Sequence, residues 1–190
     1  MVFAITPIAN RADIAADPDS DAQPWARIAR DGNALRFRRM RSEERRSWCT
    51  IDQHDKFIRR AQGTGFASHF TDAVDVLICT VNRPGLPFRL NFDHPITGLG
   101  FDIEPDPLVV APGQVFRVGI EFRNLATAEI AVLSRDGAAG ASVFMGGRSV
   151  GNDIDEIEMS VSLIDAAGLP VPVDYALNRL ELLVPVGLIV

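Results

Sequence analysis

Several features that define other classes of protein are scarce or missing in this 190-residue sequence. It has no run of 18 or more apolar residues, which excludes a membrane-spanning helix. Residues 1–8 lack the basic region and the long apolar region of a signal peptide. The sequence as it stands therefore predicts a cytoplasmic protein, or a secreted one if it is the processed form of a longer precursor.

Cysteine is also rare, and the two cysteines match no zinc or redox spacing. Cys79 lies in the apolar run 76–79, where a small side chain of this kind is usually buried, so we expect an unreactive thiol. A disulfide between Cys49 and Cys79 would require an oxidising compartment. Whether the two cysteines pair is left open by the sequence.

Sequence motifs for phosphate binding and metal catalysis are absent, including the P-loop, G-x-G-x-x-G and H-E-x-x-H. The glycine-rich stretch 146–151 follows a short predicted strand and precedes no predicted helix, so it is a poor phosphate site. His54, His69 and His94 are scattered, whereas a metal site needs three or four converging ligands. The sequence therefore predicts a protein that is not an enzyme.

Positive charge is carried by 18 arginines and one lysine, and it is concentrated in one segment. The net charge is −3 over residues 1–26, +6 over residues 27–60 and −9 over residues 61–190. An acidic body repels phosphate backbones, so we expect no nucleic-acid partner. The basic segment is expected to pair with the acidic remainder of its own fold or of a neighbouring copy.

Short apolar segments separated by Gly/Pro turns dominate the sequence from residue 66 onward, with no amphipathic helix between them. This pattern predicts an all-β fold, an antiparallel β-sandwich or jelly roll, with an irregular and partly helical N-terminal segment. We expect residues 1–56 to form an N-terminal arm and basic segment that packs on a sandwich formed by residues 57–190. Within the arm, residues 9–24 are expected to be an arm or loop, residues 23–30 a short helix, and residues 42–48 either a helix or a hairpin. The predicted strands are Ala34–Arg38, Ala73–Val81, Phe88–Phe92, Thr97–Glu104, Gln114–Phe122, Glu129–Leu133, Ser142–Phe144, Glu156–Leu163 and Tyr175–Val184.

Alternation of apolar and polar residues within these strands indicates which side chains form the core. The predicted core contains Val76, Ile78, Leu90, Phe92, Phe101, Val118, Ile120, Phe122, Val132, Phe144, Ile157, Met159, Val161, Leu180 and Leu182.

The order of strand and turn motifs over residues 57–183 resembles a known family. The stretches that carry the resemblance are 57–66, 86–92, 95–103, 144–146 and 173–180. In this order they are similar to the β-sandwich domains of bacterial secreted proteins that carry a PEP-CTERM sorting tail. Those domains resemble carbohydrate-binding jelly rolls, so the resemblance implies a binding module and a β-sandwich fold.

A glycan site normally combines an aromatic platform with polar side chains. Trp48 with Arg45 and Arg46, and Tyr175, are the candidate ligand-binding residues, because their rings carry or adjoin polar groups. Most of the 11 phenylalanines fall at apolar strand positions and are expected in the core. We expect a non-catalytic module that recognises a glycan or a protein surface; the alternative is a structural, self-assembling β-sandwich of a larger particle or filament.

Oxygen-bearing side chains at alternate positions suit calcium, which prefers hard ligands. Asn152, Asp153 and Asp155 lie close together, and Asp174 precedes the last predicted strand, so these four residues are the candidate ligands of a structural calcium ion. Alternatively, Asn and Asp form the turns by bonding to their own backbone. No other cofactor is expected.

The C-terminal segment 182–190 has no charged side chain and is too short to span a bilayer. It is expected either to fold back as a final strand of its own sheet or to dock on another copy of the chain.

Overall fold

The computed structural model describes residues 3–23, 25, 28, 30, 35–42, 44, 47–62, 69–70, 75–80, 87–106, 110–111, 113–151 and 153–185, without the side chains of residues 23, 36, 37 and 53–56. One short helix, α1 (Arg11–Ala15), and 14 strands are found in these residues. The strands are β1 (Ile5–Pro7), β2 (Ser20–Gln23), β3 (Leu35–Arg41), β4 (Trp48–Ala61), β5 (Asp75–Thr80), β6 (Phe88–Ile96), β7 (Gly98–Pro105), β8 (Val115–Asn124), β9 (Glu129–Ala138), β10 (Val143–Ser149), β11 (Ile154–Ile164), β12 (Pro170–Pro172), β13 (Tyr175–Leu177) and β14 (Leu180–Leu183).

The strands form two antiparallel sheets that share the long strand β4. Residues 49–53 of β4 pair with β6, and residues 56–61 pair with β5. Sheet I contains β1, β10, β7, β13, β14, β2, β5 and the C-terminal half of β4, whereas sheet II contains β3, the N-terminal half of β4, β6, β11, β8, β9 and β12. The predicted all-β sandwich is therefore confirmed.

The core lies between the two sheets, and strict alternation places its side chains there. In β8, Phe116, Val118, Ile120 and Phe122 are fully buried, while the residues between them face away from the core. Gly147 of sheet I lies close to this row: a Cβ added there would meet the Phe122 ring at 2.7 Å. The absence of a side chain at Gly147 thus lets the two sheets approach each other.

Strand β5 is buried on both faces, which explains its unbroken apolar run. Leu77 and Cys79 belong to the main core, whereas Val76 and Ile78 pack with Phe70 in a smaller cluster on the other side of sheet I. Cys79 and the equally buried Cys49 are both free thiols. Burial raises the pKa of both thiols far above the ordinary value, so the predicted unreactive character of Cys79 agrees with the structure.

The N-terminal segment is more regular than the sequence predicts. Residues 9–24 contain α1 and β2, so the expectation of an arm or loop was wrong. The side chain of Asn10 accepts a hydrogen bond from the backbone of Asp13 and caps α1, and Ile14 is fully buried where the helix packs on β7 and β14. Strands β1 and β2 join sheet I by pairing with β10 and β14.

Residues 42–48, for which the sequence allows a helix or a hairpin, belong to a hairpin. Its two strands, β3 and β4, pair from Leu35↔Phe57 to Arg41↔Trp48, and Ser42 N donates to the Ser47 carbonyl at 3.0 Å. Of the predicted helix at 23–30, the described residues include a single 3-10 turn, at Trp25.

The basic segment pairs with acidic side chains from later in the chain, as predicted. Arg30 and Arg59 both donate to Asp75, and Arg39 donates to Asp93. Burial alone would raise the pKa of Asp75, but the hydrogen bonds from Arg59 and Arg30 lower it overall.

The last predicted strand is two strands, interrupted at Asn178. Strand β13 pairs with β5 and the end of β7, whereas β14 pairs with the start of β7 and with β2. Leu182, Leu183 and Val184 are buried in the protein's own fold. The remainder of the predicted apolar tail, residues 186–190, lies outside the described residues.

All but two of the predicted core residues are buried. Val132 is 63% exposed, because Ala131 and Leu133 take the inward positions of β9. Phe144 is half-buried on the outer face of sheet I, where its ring covers Gly100. Both predictions were wrong because an apolar residue type does not by itself show on which face of the strand the side chain lies.

In the part of the chain that the structure describes, no helix has the length and apolar character needed to cross a membrane.

Candidate ligand-binding face

The face of sheet II that points away from the core carries two rows of polar side chains. Cross-strand register places residues of four adjacent strands (β4, β6, β11 and β8) side by side in each row. One row is Thr50, Asn91, Glu156 and Arg123, and the other is Asp52, Arg89, Glu158 and Glu121. We call this surface the outward face of sheet II.

Ion pairs connect the two rows. Glu158 lies between two guanidinium groups: Arg89 donates a hydrogen bond to one of its oxygens, and Arg123 forms an ion pair with the other at 2.7 Å. Arg123 also donates to Glu121 at 3.0 Å, and both arginines lie 3.5 Å from Glu156. Because both of its oxygens are occupied, Glu158 is a fixed acceptor in this network.

Negative charge exceeds positive charge in these rows, where four carboxylates face two arginines. Burial raises the pKa of Glu156, against the opposing effect of Arg89 and Arg123. Burial alone would lower the pKa of Arg89, but its hydrogen bond to Glu158 and the charge of Glu156 raise it overall. These two rows therefore favour neutral or cationic groups over anionic ones.

A cleft of about 370 Å³ opens beside this network. Its lining combines the carboxylates Glu121 and Glu158 with small residues from the neighbouring positions of β8 and β11. A Cβ added at Gly119 would meet the Ser160 hydroxyl at 3.1 Å, with no other atom within 4 Å, so the space above this glycine is open. The remaining lining residues are Pro87, Val132, Met159, Val161, Ser162, Pro172 and Tyr175.

The predicted aromatic residue Trp48 lies on this same outward face, near one edge of the sheet. It is half-buried, and the guanidinium carbons of Arg39 and Arg41 lie 4.6 and 5.5 Å from its ring centroid. These arginines come from the paired strand β3, and Arg45 and Arg46, which the sequence suggested as partners, lie outside the described residues. Trp48 stays a predicted ligand contact.

Tyr175 occupies a different environment, in sheet I. Its side chain is 2% exposed, packs in the main core and forms a hydrogen bond with the Cys79 thiol. It contributes to the inner wall of the cleft but offers no exposed ring for stacking. The structure therefore does not bring Trp48 and Tyr175 together on one aromatic platform.

The residues suggested for calcium support turns where they are described. Asp155 accepts a hydrogen bond from Leu125 N at 2.7 Å, and the Asp174 carbonyl accepts one from Asp106 N at 2.8 Å. Asp153 has one buried carboxylate oxygen without a hydrogen bond to the described residues, and Asn152 lies outside them. No group of three or more metal-ligating side chains occurs in the described part of the chain, and calcium binding stays a prediction.

His69 is the one histidine with a well-placed partner among the described side chains. Its backbone N and its Nδ1 lie 2.6 and 2.5 Å from the carboxylate oxygens of Glu104, which is fully buried in β7. The side chain of His54 lies outside the described residues, and His94 is exposed. The arrangement ties residue 69 to sheet I.

A G-x-S-x-G pattern spans residues 147–151, but its structure differs from that of a hydrolase nucleophile. Ser149 ends strand β10, is buried, and its hydroxyl accepts a hydrogen bond from Gly151 N at 3.2 Å. The chain then continues into another strand, whereas a nucleophile elbow lies between a strand and a helix.

Comparison with known proteins gives a likeness in fold. No family model matches the chain, and no curated protein matches it. Among solved structures, it is similar to a DUF4465 family protein from Bacteroides caccae, with a TM-score of 0.50 and 9% identity over 83% of this chain and 92% of that one. At this identity the likeness shows the β-sandwich fold alone, and the resemblance to PEP-CTERM-type domains stays a prediction.

Two further solved structures align over smaller parts. One contains the CBM22-1 and GH10 modules of Clostridium thermocellum xylanase 10B, complexed with xylohexaose; the TM-score is 0.37 at 11% identity, over 57% of this chain and 21% of that one. The other is the enzymatically active domain of tailspike protein 4 from bacteriophage CBA120, with a TM-score of 0.36 at 11% identity, over 70% of this chain and 19% of that one.

Proposed function

We propose that this protein is a non-catalytic binding module whose outward face of sheet II recognises a glycan. The observation that carries the proposal is the cleft beside the ion-pair network. There, the arginine-bridged carboxylate of Glu158 and the hydroxyl groups of Ser160 and Ser162 surround open space above Gly119. Carboxylates that are already fixed in position accept hydrogen bonds from ligand hydroxyls at little entropic cost.

The chemistry of the lining supports a hydroxyl-rich ligand. The polar groups can bond to hydroxyls, and Val132, Pro87 and Pro172 provide apolar contact for the faces of sugar rings. The cleft volume lies within the range of about 300–1,000 Å³ that is usual for ligand sites. The excess of carboxylates disfavours acidic saccharides, so we infer a neutral or amino-bearing glycan.

An array of neutral, amino-bearing and acidic oligosaccharides tests the proposal. We expect signals in the first two classes, and loss of those signals in Ser160→Leu, which places a bulky side chain over Gly119. Ala141→Leu is the control, because it introduces the same side chain at an exposed position between β9 and β10, outside the cleft. Signals confined to acidic glycans, no signal at all, or equal binding by both variants would each contradict the proposal.

A further inference from the structure

Strand β9 forms the edge of sheet II. It pairs with β8 along its whole length and, within the described residues, with no strand on its other side. The strand is ten residues long, contains no proline, and has no charged side chain from Ile130 to Leu133. Exposed edges are usually protected by charges, prolines or bulges, because their free backbone groups pair with other strands. Residues 130–133 lack this protection.

Both faces of this edge are apolar in the same place. Ile130 and Val132 are more than half exposed on the outward face. Ala131 and Leu133 are partly buried and pack on the main core from the inward face. A strand added at this edge would cover apolar side chains on both of its faces.

The charges of β9 are complementary to those of a second copy of the same strand. Two copies of one edge strand pair antiparallel when a twofold axis runs perpendicular to the sheet between them. The outward side chains of both copies then share one face only if the axis lies beside a residue, not between two residues. With the axis at Val132, Glu129 lies opposite Arg135 of the second copy, and the symmetry creates this ion pair twice.

Neighbouring registers lack this complementarity. Moving the axis to Ala131 places Glu129 opposite Leu133, and moving it to Leu133 places Ile130 opposite Asp136. Each of these shifts sets a charged side chain against an apolar one.

The side chains of Glu129 and Arg135 have capacity left for an ion pair between two copies. Glu129 accepts a hydrogen bond from the Thr127 hydroxyl, and Arg135 donates to the Phe144 carbonyl at 3.1 Å. Neither side chain forms an ion pair with the described residues.

We propose that two copies of this chain pair through β9, in the register centred on Val132, and form one continuous sheet. Because the twofold axis is perpendicular to the sheet, the outward faces of both copies lie on the same side of the dimer. Because Val132 also lines the cleft, the two clefts lie on one surface, near the dimer axis. Two adjacent clefts would bind a multivalent glycan with higher avidity, and this consequence rests on the proposed function. The dimer itself does not depend on glycan binding.

Light scattering and sedimentation over a range of protein concentrations test the dimer without any ligand. We expect the wild type to dimerise and Glu129→Arg to raise the dissociation constant about tenfold or more, because two attractive pairs become repulsive. The double variant Glu129→Arg/Arg135→Glu restores opposite charges and should recover the dimer. Glu44→Arg makes the same charge change at an exposed residue between β3 and β4 and should leave the mass unchanged.

Several results would overturn the proposal. They are a wild type that stays monomeric at every concentration, a dimer that Glu129→Arg does not weaken, and a double variant no better than the single one. A dimer lost on deletion of residues 186–190 but insensitive to Glu129→Arg would assign the interface to the C-terminal segment instead. If Glu129→Arg fails to fold by circular dichroism, Arg135→Glu creates the like-charge pair from the other side and is judged by the same criteria.

Discussion

Gly100 of β7 and Gly119 of β8 both lie on the outer face of their sheet, but the space outside them differs. Gly100 is covered by the ring of Phe144 and by Ile14 of helix α1, which packs on this side of sheet I. Gly119 lies below the open cleft of sheet II, where the Ser160 hydroxyl is its one close neighbour. Substituting alanine at each position therefore measures which sheet face is covered and which is free to bind.

The expected magnitudes follow from the distances. An alanine Cβ at position 100 would lie 2.6 Å from Cζ of Phe144, about 0.8 Å closer than ordinary van der Waals contact at 3.4 Å. Overpacking of this kind costs about 1–3 kcal/mol. Removing glycine's conformational freedom in the unfolded chain offsets about 0.5–1 kcal/mol of that cost. We expect Gly100→Ala to lower the free energy of unfolding by up to about 2.5 kcal/mol. At position 119 the new Cβ lies 3.1 Å from the exposed Ser160 hydroxyl, which can rotate away, so Gly119→Ala should leave the free energy of unfolding unchanged or raise it by up to about 1 kcal/mol.

Urea unfolding, followed by tryptophan fluorescence and circular dichroism, measures both changes. If the Phe144 ring causes the loss, the effect of Gly100→Ala should largely disappear when it is measured in the Phe144→Ala background of a double-mutant cycle. Equal midpoints for Gly100→Ala and Gly119→Ala, or an effect of Gly100→Ala that persists without the ring, would show that the Phe144 ring does not cause the loss.

Three further predictions concern the core, calcium binding and the charged face. Measured in the Glu129→Arg background, where the proposed β9 dimer is weakened, Ile120→Ala should cost about 2–5 kcal/mol because Ile120 is fully buried. In the same background Val132→Ala should change the unfolding free energy by less than about 0.5 kcal/mol because Val132 is exposed, and similar losses in urea unfolding would contradict the assigned strand faces. If Asp153 and Asp174 hold calcium, millimolar calcium should raise Tm in the wild type but not in Asp153→Ala/Asp174→Ala; no shift, or a shift that survives the substitutions, would contradict calcium binding by these residues. Burial raises the pKa of Glu156 in the folded state, so its contribution to stability is present below the ordinary value of 4.5 and is lost as pH rises through the higher folded pKa. Glu156→Gln should therefore reduce the change in Tm between pH 4 and pH 7, and an unchanged pH profile would show that Glu156 does not titrate as its burial implies.

The sheet architecture could be predicted because the signal is local. In β8 and β11, alternation of apolar and polar residues identifies the buried side directly from the sequence. The signal fails at Val132, since β9 has apolar residues at both inward and outward positions and its inward side includes the small Ala131. The signal also fails at Phe144, whose ring packs outside the core, against Gly100 and Gly146 on the outer face of sheet I.

The candidate site could not be predicted, because its residues meet through cross-strand register. Arg89, Arg123 and Glu158 come from three strands that are distant in sequence, and each looks like an ordinary solvated strand residue. Alternation shows that these side chains face water, but not that they face one another. Trp48 was found from its residue type, yet its arginine neighbours come from β3 rather than from the adjacent turn.

A glycan bound in the cleft would change the environment of the amides that line it. We would follow this by an amide NMR titration with the neutral or amino-bearing oligosaccharide that gives the strongest array signal. The largest shift changes are expected at Gly119, Ser160 and Ser162, and little change is expected at Gly98 and Gly100 under the covered face of sheet I. Changes concentrated in sheet I, with the cleft amides unaffected, would contradict binding in the cleft.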